Sequence, residues 1–165
     1  MCMTDEHLSR SPLFHPRRTV AEVEEGCVLA PRFPMDGLLP CVATDAGDGA
    51  VLMIGWMNAE ALERTIKTGE AHYFSRTRQA IWHKGATSGL VQRVIEMRID
   101  DDQDAIWLRV DVAGGGASCH VGYRSCFYRR IPVGPDADGA LTFSEDRKLF
   151  DPAIVYGDAP NPTIL

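Results

Sequence analysis

Val91–Ile99 and Ile106–Val112 each alternate along the chain, with Val91, Arg93, Ile95, Met97 and Ile99 set against Gln92, Val94, Glu96 and Arg98 in the first run. A period of two is the pattern of a strand. Only a short stretch separates the runs, too short for a crossover, so they must pair antiparallel about a turn. That turn carries Asp100, Asp101, Asp102 and Asp104. Any fold for this chain must therefore place a dense negative charge at one end of a hairpin.

The flanking sequence supplies further strands and a few short helices. Leu38–Thr44 and Ala50–Trp56 read as strands joined by the turn-rich Asp45-Ala46-Gly47-Asp48-Gly49. Asn58 fits an N-cap for a helix over Ala59–Thr68, with Gly69 where a C′ glycine belongs. Ala61, Leu62, Thr65 and Ile66 place that helix against the sheet, with Met53, Trp56 and Met57 in the core. Thr19 and Glu22 fit a capping box before a helix from Val20 to Glu25, a segment read as packing or dimer contact. Glu70–Ser75 and Ser125–Ile131 read as strands, Leu141–Phe143 as a short one, and Ser144 as a cap for one helical turn. The tail with Pro152, Pro160 and Pro162 reads as an extended arm, like residues 1–16. The class is α+β with a mostly antiparallel sheet. The expected division is an N-terminal arm and short helix over 1–36, a catalytic domain over 37–131 and a C-terminal extension over 132–165.

At 165 residues one domain is expected. A net charge of −6 argues against a nucleic-acid binder, and no apolar run approaches the roughly 18–20 residues of a membrane span. Met1–Arg18 has no apolar core of a secretory signal, and Cys2, Cys27, Cys41, Cys119 and Cys126 are odd in number and scattered. Both features predict a cytoplasmic protein in which Cys119 and Cys126 are ligands or free thiols rather than a bridge.

Two kinds of metal chemistry lie close together. In an extended chain Asp100, Asp102 and Asp104 share one face and Asp101 takes the other. Three like charges on one face call for a cation, and an EF-hand is excluded because Ala105 and Asp111 stand at its glycine and glutamate positions. Magnesium held by carboxylates, waters and substrate fits; a solvated acidic turn is the plain alternative. Cys119 and Cys126 offer two soft ligands, which leaves zinc the open position that catalysis requires. Asp101, His120 and His83 are candidates for a third ligand, with buried free thiols or a Cys-His nucleophile as rival readings. Between Ser75 and Gly89 hydroxyls, glycines and cations mix without periodicity. Arg76, Arg78 and Lys84, flanked by Thr87 and Ser88, fit a phosphate.

Several of these motifs occur in one order: Trp56-Met57-Asn58-Ala59-Glu60-Ala61-Leu62, Thr68-Gly69-Glu70-Ala71, Ser75-Arg76-Thr77-Arg78, Trp82-His83-Lys84-Gly85, Thr87-Ser88-Gly89, the aspartate run, and Cys119-His120 through Arg124-Ser125-Cys126-Phe127-Tyr128-Arg129. Over about Gly37–Arg130 the chain resembles phosphoribosyl-AMP cyclohydrolase. The resemblance implies a hydrolase of histidine biosynthesis that opens the N1–C6 bond of the adenine ring of phosphoribosyl-AMP. It implies a barrel-like, intertwined homodimer with active sites between subunits, zinc on Cys119 and Cys126, and magnesium on Asp100, Asp102 and Asp104. The family's third zinc cysteine, given by the partner subunit, falls on Asp101 here, which departs from the pattern. His83 and His120 become proton carriers, and Arg76, Arg78, Trp82, Lys84, Thr87, Ser88 and Arg124 substrate contacts. The roughly 35 residues after Arg130 are too few for the fused pyrophosphohydrolase of some members. Rival readings are another zinc amidohydrolase acting on a purine nucleotide, and a non-catalytic zinc module that staples a dimer.

Overall fold

The structure is a computed structural model that describes residues 13–163; Cys2 and positions 1–12 of the expected N-terminal arm lie outside the described residues. Its centre is a four-stranded sheet. Strands β1 (Leu39–Asp45) and β2 (Val51–Met57) form an antiparallel hairpin that pairs Leu39 with Met57. Helix α1 (Val20–Glu24) precedes them, with the Thr19 side chain accepting from Glu22 N as a cap. Helix α2 (Ala59–Thr68) follows, capped by Asn58 and closed by Gly69 in the left-handed region at φ 69°. Strands β3 (His72–Ser75) and β4 (Ala80–His83) make a separate hairpin. Strands β5 (Gln92–Ile99) and β6 (Ile106–Val112) pair antiparallel, and β6 lies parallel to β1, giving the order β2-β1-β6-β5.

The core forms where these elements meet. Leu39, Cys41, Ala43, Leu52, Met57, Leu108 and Val110 are buried on the sheet, and Ala61 and Leu62 of α2 pack onto it. Burying a side chain like Leu62 stabilises by about 1.5–3 kcal/mol. Thr65 replaces a further apolar contact with hydrogen bonds: its hydroxyl donates to Ala61 O and accepts from His72 N at 2.8 and 2.9 Å. That ties the end of α2 to β3. Tyr73 of β3 is fully buried over Gly55 of β2, where a Cβ would stand 2.5 Å from the ring. Its hydroxyl donates to Gln92 Oε1, and Gln92 Nε2 donates to Ser118 Oγ, at 2.8 and 3.1 Å. A buried polar line thus runs from the core to the residue before Cys119.

The architecture corrects several expectations. The fold is α+β with a mostly antiparallel sheet and few helices, but the sheet is open and not a closed barrel. Ala80–His83 is a strand inside the Ser75–Gly89 stretch, which shows no periodicity in the sequence. A register shift between Val94 and Glu96 breaks the alternation of β5: Gln92 is buried and Ile95 is 61% exposed, while Met97 and Ile99 return to the core. One extra residue in a strand reverses the faces beyond it. Ser125–Tyr128 is not a strand; only β7 (Arg129–Arg130) pairs, with β8 (Thr142–Phe143). Ser144 caps no helix, and Pro152 opens α3 (Pro152–Tyr156) rather than an extended arm. Proline suits a first helical turn because its missing N–H has no partner there.

Candidate functional site

The acidic turn gathers its carboxylates by folding back rather than by extension. Gln103 adopts φ 60° and donates its N–H to Asp100 O. One oxygen of Asp100 accepts from the backbone N–H groups of Asp104 and Ala105, at 2.8 and 2.9 Å. Ligand oxygens of Asp100, Asp102 and Asp104 come within 4.8 Å of one another, and Asp101 stands apart and exposed. The expected trio is thus assembled, although an extended strand does not assemble it. The donor set is hard and negative, as magnesium requires.

Gln103 itself carries a role that the sequence did not announce. It is buried, accepts from Ala30 N at 2.8 Å, and donates to Val23 O and Val28 O at 3.0 and 3.3 Å. Its own carbonyl accepts from Arg32 N at 2.7 Å. The segment after α1 is therefore stitched to the aspartate turn. This delivers the Arg32 guanidinium to Asp102, at 3.1 Å, and to Asp104. Arg32 and Asp104 also line an open cavity of about 480 Å³ with Pro34, Met35, Leu38 and Trp56.

The two sulfurs lie at the ends of a loop that closes on itself. Ser118 N donates to Arg124 O, Cys119 N to Tyr123 O, and Gly122 N to Cys119 O. This brings Cys119 and Cys126 into contact as thiol partners. The Cys126 thiol donates to Cys119 and, with the Val121 N–H and the Lys84 charge, lowers the Cys119 thiol below its ordinary range. Cys126, as the donor, is pushed up. Two adjacent sulfurs, one of them shifted toward the thiolate, form a soft donor set that fits zinc. No aspartate, glutamate or histidine joins them to complete a set of three among the described residues. Cys119 and Cys126 are unbridged, as expected, Cys41 is a free buried thiol within the core, and Cys27 is disulfide-bonded.

The expected proton carriers and substrate contacts are spread around this loop. His120 Nε2 is buried with no hydrogen-bond partner, and burial, with the Lys84 charge, lowers the ring's pKa. His83 stacks on His72 at 4.6 Å, and its Nε2 lies 2.8 Å from Glu70 Oε2 without hydrogen-bond alignment. Arg76 lies over Trp56 at 4.6 Å and Arg78 near Trp82 at 6.0 Å, both on the exposed β3–β4 turn. Thr87 is exposed and Ser88 half-buried on the following loop. Lys84 and Arg124 already have partners within the chain. Lys84 is buried, donates to Ser118 O at 2.8 Å and faces the thiols. Arg124 is held by Asp48, at 2.8 and 2.9 Å, and by Asp45 at 3.2 Å. Arg124 is thus paired with carboxylates, whereas Lys84 meets a backbone carbonyl.

A family model described as phosphoribosyl-AMP cyclohydrolase matches residues 53–128, which span both the aspartate turn and the thiol loop. The phosphoribosyl-AMP cyclohydrolase of Rhodopseudomonas palustris strain HaA2 is 57% identical over 136 residues, covering 82% of this chain and 91% of the relative. The chain belongs to the phosphoribosyl-AMP cyclohydrolase family. The Nitrobacter winogradskyi cyclohydrolase is 53% identical over 139 residues, covering 84% of this chain and 94% of its own length. These matches are longer than residues 53–128, so the relatives share more with this chain than the aspartate turn, the thiol loop and what lies between them. No helix among the described residues is long and apolar enough to cross a membrane.

Proposed function

We propose that this chain is a phosphoribosyl-AMP cyclohydrolase of histidine biosynthesis, acting as a cytoplasmic homodimer with zinc and magnesium. Water adds at C6 of the N1-substituted adenine ring, the N1–C6 bond breaks, and N1 takes up a proton as C6 becomes the carboxamide. The observation that carries the reading is the contacting pair Cys119 and Cys126 in a chain 57% identical to a named cyclohydrolase. Zinc bound at these sulfurs supplies a water acidic enough to act near neutral pH.

The chain's own residues do the rest. Cys119 and Cys126 would hold zinc, with Asp101 of the partner subunit as the third ligand. The exposure of Asp101, away from its neighbours' cluster, supports that role. Asp100, Asp102 and Asp104 would hold magnesium, whose charge would offset that of the substrate's anionic groups. Arg76 and Arg78, which have no carboxylate partner in the described residues, take phosphate, with Trp82, Thr87 and Ser88 beside them. His120 and His83, each with a buried Nε2 that has no hydrogen-bond partner, are the residues to move a proton, His83 with the Glu70 carboxylate 2.8 Å away. The three free thiols suit a reducing compartment, whereas the Cys27 disulfide does not.

The test is absorbance-followed ring opening of phosphoribosyl-AMP by zinc- and magnesium-loaded protein, with AMP and adenosine assayed alongside. Turnover of phosphoribosyl-AMP alone, lost in Cys119→Ala, is expected. An intact, metal-loaded dimer that leaves phosphoribosyl-AMP untouched would falsify the reading, and turnover of AMP would move it to another amidohydrolase.

A further inference from the structure

We infer that Glu145 is a positioning residue for the two thiols: its carboxylate grips the loop between Cys119 and Cys126 and sets the sulfur spacing that one soft metal ion needs. Its two oxygens accept one N–H each from neighbouring residues, Oε2 from Arg124 N at 2.8 Å and Oε1 from Ser125 N at 2.9 Å. Charge-assisted bonds of this kind are short and strong.

The rest of the loop's surroundings make Glu145 the closing member of a vice. On one side the loop is fixed to β2: Ser125 Oγ donates to Val51 O and Cys126 N to Leu52 O, both at 2.7 Å. On the other side the chain leaves through β7 and returns through β8, where Ser144 N donates to Tyr128 O at 2.8 Å. Tyr123 and Tyr128 stack at 4.0 Å under Phe143, so the loop itself packs on the hairpin that delivers Glu145. Beyond it, Leu149 N donates to Gly122 O at 2.7 Å. A Cβ on Gly122 would stand 2.4 Å from Phe150 O, which explains the glycine between the two cysteines. The C-terminal extension thus seats itself on the thiol loop from three directions.

Affinity alone does not separate position from charge, because a carboxylate also attracts a cation and its loss weakens binding on either account. A change in sulfur spacing is read from the cobalt–sulfur bands instead. Partners that orient metal ligands typically contribute about 10–100-fold to affinity.

The inference rests on the zinc reading above, and its test keeps the two apart. Glu145→Ala and Glu145→Gln are compared with wild type by chelator competition for zinc and by the absorption spectrum of the cobalt(II) form. Expected is a loss in zinc affinity of about 10–100-fold in Glu145→Ala. Glu145→Gln, which keeps one acceptor, falls between, and the cobalt–sulfur bands change in both. Wild-type affinity and spectrum in either folded variant, or tighter binding in Glu145→Gln, overturns the inference. If Glu145→Ala does not fold, Glu145→Gln decides by the same criteria. If wild type takes no metal on the thiols, the zinc reading fails by itself. Amide exchange at Arg124 and Ser125 in metal-free protein then decides the grip, faster exchange in Glu145→Gln supporting it and unchanged exchange refuting it.

Discussion

Asp48 is held ionised by the Arg124 guanidinium, whose two nitrogens meet its two oxygens. That contact, with the Ala50 N–H, lowers its pKa from 3.8 to about 2. A carboxylate depressed on folding contributes stability that is whole above its ordinary value and vanishes as pH falls through the folded one. The Asp48 contribution is therefore intact above about pH 4 and lost towards pH 2. Asp48→Asn should be less stable than wild type to urea at pH 7, and the two proteins should converge near pH 2; a constant gap across that range would show that the charge is not the cause. Arg32 invites a second comparison. It neutralises Asp102 and Asp104, so a divalent cation must displace it or share the cradle. Arg32→Ala should bind manganese more tightly than wild type in a paramagnetic titration, by several-fold, an effect that weakens with added salt.

Elements differ in how openly the chain declares them. Helix α2 was legible because cap, apolar face and terminal glycine all agree over Asn58–Gly69. The β1–β2 and β5–β6 hairpins were legible because their partners are near in sequence. β4 was hidden since Ala80–His83 is short and mixes with cations that dominate its neighbourhood. The bulge in β5 was hidden because a period of two carries no mark of a skipped residue. The metal-binding residue types stood out, yet Gln103 and Glu145 did not: each works through backbone groups far along the chain, a relation that no local pattern records. Gly55 is a further silent position. Its hydrogen leaves room for the Tyr73 ring of β3, so Gly55→Ala must push β3 off β2. The expected cost is about 1–3 kcal/mol, the range of an overfilled core, measured by chemical denaturation. An unaltered midpoint would mean that the ring moves freely.

At the scale of the whole molecule the thiol pair is short of one ligand, and a second copy is proposed to provide it. If so, Asp101→Ala and Cys119→Ala are each inactive alone yet complementary. Unfolding and refolding them together should give roughly a quarter of wild-type activity, since half of the dimers are mixed and each of those has one intact site. No recovery from refolded, dimeric mixtures would place the third ligand on the same chain. This assembly question is where sequence and monomer alike fall silent, because a residue given across an interface leaves no trace in the spacing of its own chain.

The two long hairpins touch only along the parallel seam where Cys41 lies beside Ile106. Each hairpin closes a short loop, whereas the seam must bring together stretches with α2, β3 and β4 strung between them. Distant pairings of this kind pay their entropy before any reward arrives. Refolding should accordingly wait on the seam, so that Leu108→Ala slows it more than Leu52→Ala does, and the aspartate turn and the thiol loop come to share one fold only after that step.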